Sequence, residues 1–121
     1  MSLLESGENY LESIYRLSLT KDGVHAIDIV NDLGFSKPSV SIALKKLKEQ
    51  NYLNINSESH IILTPKGLDI AKRIYERHQV LSSLLIKLGV DKTIADEDAC
   101  KIEHDLSKES FEALKKLYNS L

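Results

Sequence analysis

The chain has 121 residues, of which 42% are hydrophobic and 28% charged, with a formal net charge of −2. This size accommodates one cored domain, or a compact unit joined to a small helical one, and excludes a large multidomain enzyme. Its apolar runs are far shorter than a membrane span, its one cysteine permits no internal disulfide, and nothing near Met1 resembles a secretion signal, so a cytoplasmic compartment is expected.

The charge is unevenly placed. Residues 1–35 hold two basic and six acidic side chains, residues 36–77 eight basic and four acidic, and residues 88–121 five basic and eight acidic. The middle of the chain is therefore cationic, a composition permissive for phosphate contacts. Taken in order, Leu11, Ile14, Tyr15 and Leu19 predict an amphipathic helix over 8–20, stopped at Lys21-Asp22-Gly23. A short helix follows over 26–33, then a turn at Gly34 to Ser36 and a second helix over 37–50. Ser36 is its expected cap, and Pro38 falls in the first turn, where the amide has no intrahelical acceptor. "YLNIN" and "HIILT", separated by Ser57 to Ser59, predict a small β-hairpin. Helix, helix, turn, helix, hairpin is the winged helix-turn-helix order. Thr64 and Pro65 then open a long helix to about Lys87, with Ile70, Ile74, Leu81, Leu84 and Leu85 as its apolar stripe. Two more helices are predicted over 92–105 and 108–120, the last capped by Ser107.

Periodicity divides the helix over 37–50 into two faces. Val40, Ala43, Leu44 and Leu47 point inward, and Lys37, Ser39, Ser41, Ile42, Lys45, Lys46 and Lys48 point outward. Small side chains first and lysines later suit entry into a major groove, because the small groups permit close approach to base edges and the lysines meet flanking phosphates. Ser36, Lys37, Pro38, Ser39, Ser41, Ile42, Lys45 and Lys46 are the candidate DNA contacts, with Pro38 and Ile42 placed for thymine methyl groups. The helix has no arginine, so bidentate guanine reading is not expected of it and affinity should lean on phosphates.

"DACKIEHDL", residues 98–106, gathers a thiol, a carboxylate and an imidazole. On a helix, Cys100, Glu103 and His104 fall within an arc of roughly 100°. Each residue alone has an ordinary reading, as a small buried group, a solvated acid or a hydrogen-bonding histidine. Together they are ligand types for ferrous iron, zinc, cobalt or manganese. Asn9 and Glu12, three apart on the first helix, and His78 on the long helix are the other candidate ligands. An ion held by separate helices would fix their orientation.

The segments "ENYLESIYRL", "FSKPSVSIALKKL", "LTPKGLDIAKRIYERH" and "DEDACKIEHDLS" together resemble the diphtheria-toxin-repressor family of metal-dependent transcriptional regulators, DtxR/MntR, from about Glu8 to the end. The resemblance implies metal ligands at Asn9, Glu12, His78, Cys100, Glu103 and His104. Position 9 is methionine in the family's iron branch and aspartate in its manganese branch, so Asn9 matches neither. Glu12 agrees with the manganese branch and Cys100 with the iron branch, while His78, Glu103 and His104 are shared. Ser82 and Asp96 stand where the iron branch has a carboxylate and a histidine as accessory ligands. The longer members add a C-terminal β-barrel, for which this chain is too short.

The expectation is thus a mainly α protein, with a winged helix-turn-helix DNA-binding domain at 1–64 and a linker helix plus helical metal-binding and dimerisation domain at 65–121. Its expected activity is metal-dependent repression of metal-uptake genes by a cytoplasmic homodimer on a double-stranded operator. Ferrous iron ranks first and manganese second, with zinc or cobalt as further options, because thiolate favours softer ions; no organic cofactor is expected. Phe111, Leu114, Leu117, Tyr118 and Leu121 form the candidate dimer stripe, or else complete the chain's own core. Two rivals stand beside this reading. One is a regulator of the same fold with vestigial ligands or an organic effector. The other is a small metal-dependent hydrolase or thiol enzyme, against which the chain offers no glycine loop for an oxyanion.

Overall fold

The computed structural model describes residues 4–121; Met1-Ser2-Leu3, at the start of the first expected domain, lies outside the described residues. The element order is α1 (Glu5–Ser18), α2 (Ala26–Leu33), α3 (Lys37–Glu49), β1 (Leu53–Ile55), β2 (Ile61–Leu63), α4 (Pro65–Lys87), α5 (Lys92–Ile102) and α6 (Lys108–Asn119). The chain divides into two units, Met1–Lys72 and Arg73–Leu121. The architecture is mainly helical with a hairpin wing, as expected.

In the first unit α1 begins three residues before the predicted start, with Glu5 and Glu8 in its first turn, where carboxylates complement the exposed amides. It buries Tyr10, Leu11 and Ile14 against Ile29, Val40, Leu44, Leu47, Leu53 and Ile61. Gly34 ends α2 in the left-handed region at φ 73°, and its N–H donates to the Val30 carbonyl at 2.9 Å. That turn aims α3, which starts where the Ser36 hydroxyl accepts the Ser39 amide at 3.2 Å. The hairpin pairs Leu53 with Leu63 and Ile55 with Ile61. Its turn is organised by Asn56, whose side-chain oxygen accepts the amides of Glu58 and His60, both at 2.9 Å.

The start of α4 is locked onto the base of this hairpin. The Thr64 amide donates to the Tyr52 carbonyl at 3.1 Å, and the Thr64 hydroxyl accepts the Gly67 amide at 3.2 Å as the helix cap. A methyl group on Gly67 would lie 2.0 Å from the same Tyr52 oxygen, so the close approach requires glycine.

In the second unit, Ile74, Val80, Leu81 and Leu84 of α4, Ala95 and Ala99 of α5 and Phe111 of α6 are buried. Gly89 turns the chain after α4 at φ 101°. Asp91 and Ser107 cap α5 and α6 through the amides of Thr93 and Ser110, at 3.1 and 3.0 Å. Three polar side chains, Arg77, Ser82 and Glu103, share this interior. The predicted dimer stripe splits. Phe111 turns inward beneath the Arg77 guanidinium, 5.2 Å from its ring centre, while Leu117 and Leu121 are exposed.

Candidate metal centre and DNA-reading face

Three of the sequence-predicted ligands converge in the second unit. Nδ1 of His78 is 2.9 Å from Oε2 of Glu103 and 3.7 Å from Sγ of Cys100. One ligand atom from each of the three lies within 4.8 Å of the others. Two donors on a tetrahedral ion with bonds of about 2.1 Å stand roughly 3.4 Å apart, so the spacing suits a single cation after small adjustment. His104 adjoins the group, its Nε2 3.4 Å from Oε1 of Glu103.

The helix over these residues is shorter than predicted. α5 stops at Ile102, and Glu103 and His104 stand in the turn beyond it. Glu103 keeps helical angles as the C-cap, and its amide still donates to the Ala99 carbonyl at 3.0 Å, which preserves the Cys100-to-Glu103 spacing. Arg77 is the reason this turn is firm. Its Nη1 donates to the carbonyls of Glu103 at 3.1 Å and Leu106 at 2.7 Å, placing a cation at the negative end of α5.

Burial makes the charge state consequential. The Glu103 side chain is 2% exposed, and a carboxylate so placed requires a neighbouring cation or proton. His78 supplies it. Hydrogen bonds to Cys100 first, and then to Glu103, push the imidazole up to about 10, so the ring is an imidazolium near neutrality. Its other nitrogen, Nε2, lies 3.9 Å from Oδ1 of Asp96. Asp96 and Ser82, the two departures from the iron-branch pattern, are hydrogen-bonded to each other at 2.5 Å.

Asn9 and Glu12 stand on α1 in the first unit, and Glu12 is already engaged there. Arg16 Nε approaches its Oε2 at 3.1 Å, while the same guanidinium grips Asp32 of α2 at 3.0 and 2.6 Å. Ser13 donates to Asp32 at 2.6 Å. Burial pushes the Asp32 carboxyl up, but the bonds from Arg16 and Ser13 outweigh it and hold the group below the usual range. Neither Arg77 nor this Arg16–Asp32 pair was legible in the sequence, where both arginines look like solvated helix charges.

The two faces of α3 match their predicted division. Val40, Leu44 and Leu47 are buried, whereas Lys37, Pro38, Ser39, Ser41, Ile42, Lys45 and Lys46 are all exposed. Ile42 stands out at 59% exposure, an aliphatic group presented to solvent amid lysines. Ser36 is occupied as the cap and also donates to the Ser39 hydroxyl at 2.8 Å.

Known proteins place this architecture. The sequence pattern of the iron dependent repressor N-terminal DNA binding domain matches residues 2–61, and that of the iron dependent repressor metal binding and dimerisation domain matches residues 64–121. The chain belongs to the iron dependent repressor family. It is 38% identical over 109 residues to the HTH-type transcriptional regulator MntR of Listeria welshimeri, covering 90% of this chain and 77% of that one. An HTH-type transcriptional regulator of Methanocaldococcus jannaschii is 35% identical, over 92% of this chain and 90% of its own length. The structure of the manganese regulator SloR superposes with a TM-score of 0.83 at 28% identity, covering 98% of this chain and 55% of the SloR chain. This chain therefore spans about half the length of that solved relative. The two matched patterns describe the DNA binding domain and the metal binding domain of repressors, so the family is one of metal-dependent regulators and not of enzymes.

Proposed function

We propose that this chain is a metal-activated transcriptional repressor that uses His78, Cys100 and Glu103, with His104 beside them, to hold a divalent cation. The observation that carries the proposal is the convergence of imidazole, thiol and carboxylate within 4.8 Å around a buried glutamate. A bound divalent ion supplies positive charge that neutralises these donors and cross-links the segments bearing them. The chain's own part is to present the donors. α4 carries His78, α5 carries Cys100, and Arg77 holds the Glu103 turn in place. The family pattern adds Asn9 and Glu12 of α1 as proposed ligands.

Ferrous iron is the first candidate, because a thiolate donor favours softer ions than an all-oxygen set does. Manganese is second, supported by the similarity to SloR. DNA contact is assigned to Ser36, Lys37, Pro38, Ser39, Ser41, Ile42, Lys45 and Lys46 of α3 and its cap, acting in a cytoplasmic homodimer on a pseudo-palindromic operator upstream of metal-uptake genes. The exposed Leu117 of α6 and Leu121 just beyond it are offered for the dimer contact.

A gel shift on the chain's own upstream regions, run anaerobically with ferrous iron, manganese and zinc titrated separately, tests this. Operator binding that rises with at least one ion and falls with chelator is the expected result. Equal binding in chelator and in every metal overturns the proposal.

A further inference from the structure

We infer that Asp96 is a positioning residue for the metal centre: it accepts a hydrogen bond from Nε2–H of His78 and so leaves Nδ1 as the donor to a cation shared with Cys100 and Glu103. The inference rests on the reading of His78 as a ligand and deepens it.

Three observations carry it. The His78 ring has its two nitrogens facing opposite acids, Nδ1 at 2.9 Å from Glu103 and Nε2 at 3.9 Å from Asp96. Asp96 is not a loose surface acid, since its Oδ1 accepts from Ser82 and its Oδ2 from Lys92 at 2.9 Å. Those two anchors come from α4 and α5, so the carboxylate is fixed beside the ring from both sides. Finally, room for an ion between Nδ1 and the Glu103 oxygen requires those atoms to part by roughly half an ångström. Glu103 is 2% exposed, with its backbone pinned by Arg77, whereas the His78 side chain is 22% exposed. The imidazole is the partner that yields. Retreat from Glu103 carries Nε2 toward Asp96 and brings the 3.9 Å separation toward hydrogen-bond length.

The chemistry is that of a histidine ligand whose second nitrogen donates to a carboxylate, which fixes the tautomer and strengthens the donor. Two residues that depart from the accessory-ligand pattern would then act outside the coordination sphere. Ser82 holds Asp96, and Asp96 holds His78.

The experiment compares His78→Ala, Asp96→Ala, Asp96→Asn and Ser82→Ala with the parent chain. Zinc affinity is measured by chelator competition, and the ¹⁵N shifts of the His78 ring are recorded in the zinc-loaded protein. Loss of an outer carboxylate beside a histidine ligand costs about 10- to 100-fold in affinity. Asp96→Ala should fall in that range, Asp96→Asn should lose less because its side-chain oxygen still accepts the proton, and Ser82→Ala should lose least. The parent His78 should show Nε2 protonated and Nδ1 coordinated, with the Nε2–H signal shifted in Asp96→Ala. Asp96→Ala affinity within twofold of the parent overturns the inference, as does a coordinated Nε2. Asp96→Asn as damaging as Asp96→Ala also overturns it, since Asp96 would then be a ligand itself. Unchanged affinity in His78→Ala instead removes the reading of His78 as a ligand, and so separates the two failures.

Discussion

The outward face of α3 and the cluster around Glu103 spend polar groups in opposite ways. On α3 they are exposed, and the fold beneath is held by apolar contacts of Val40, Leu44 and Leu47. Around Glu103 charge is buried, and the local structure depends on it, because Arg77 caps the turn that carries the candidate ligands. One region can change its surface without changing its fold. In the other, shape and ligand chemistry are the same set of bonds.

That contrast predicts a ranking of effects. Arg77→Met should be the most damaging, because it leaves the buried carbonyl of Glu103 and the partly buried one of Leu106 without this donor, for a loss of about 3 kcal/mol. Thermal unfolding in chelator measures it; an unchanged midpoint would mean that the turn holds itself. Glu103→Gln keeps the volume and removes the charge, and should weaken metal binding by about 100-fold, roughly 2.7 kcal/mol. Its operator binding should no longer respond to metal, while circular dichroism stays that of a folded helical protein.

Acidity tests the same region. His78 holds its proton more tightly folded than unfolded, with its value raised from 6.5 to about 10. Its contribution to the metal-free fold is thus fully present below 6.5 and lost as pH rises through about 10. An ion must displace that proton, and the thiol donor must also bind without its proton, so affinity should climb by at least about tenfold per pH unit across the neutral range. Zinc titrations at three pH values would show it, and a flat profile would remove His78 from the site.

On the outward face of α3 the expected effects are smaller. Ser36→Ala loses the α3 cap at a cost of about 1 kcal/mol in thermal stability. Replacing Lys45 and Lys46 together by alanine should leave stability within experimental scatter and reduce the salt slope of operator binding by about 2 per protomer. A stability loss larger than that of Ser36→Ala would erase the contrast between the two regions.

The same contrast explains how much could be read in advance. The faces of α3 follow from a 3.6-residue repeat, and its start from a serine and a proline, all signals within one turn of each other. Cys100, Glu103 and His78 were legible as ligand types. The turn that ends α5 before Glu103 was not, because the bonds that shape it come from Arg77, 26 positions away for Glu103 and 29 for Leu106. Arg16 likewise meets Asp32 across 16 positions. Local periodicity carries no trace of such pairings, and both arginines read as ordinary solvated charges.

Gly67 has no side chain to offer an ion or a base, yet it lies in the first turn of α4, the helix that carries His78. With the Tyr52 oxygen 2.0 Å from where a methyl would sit, every other amino acid wedges the hairpin off that helix. Saturation libraries selected for a retained metal response should therefore recover glycine alone at this position, a constraint that ligand-centred mutagenesis would pass over.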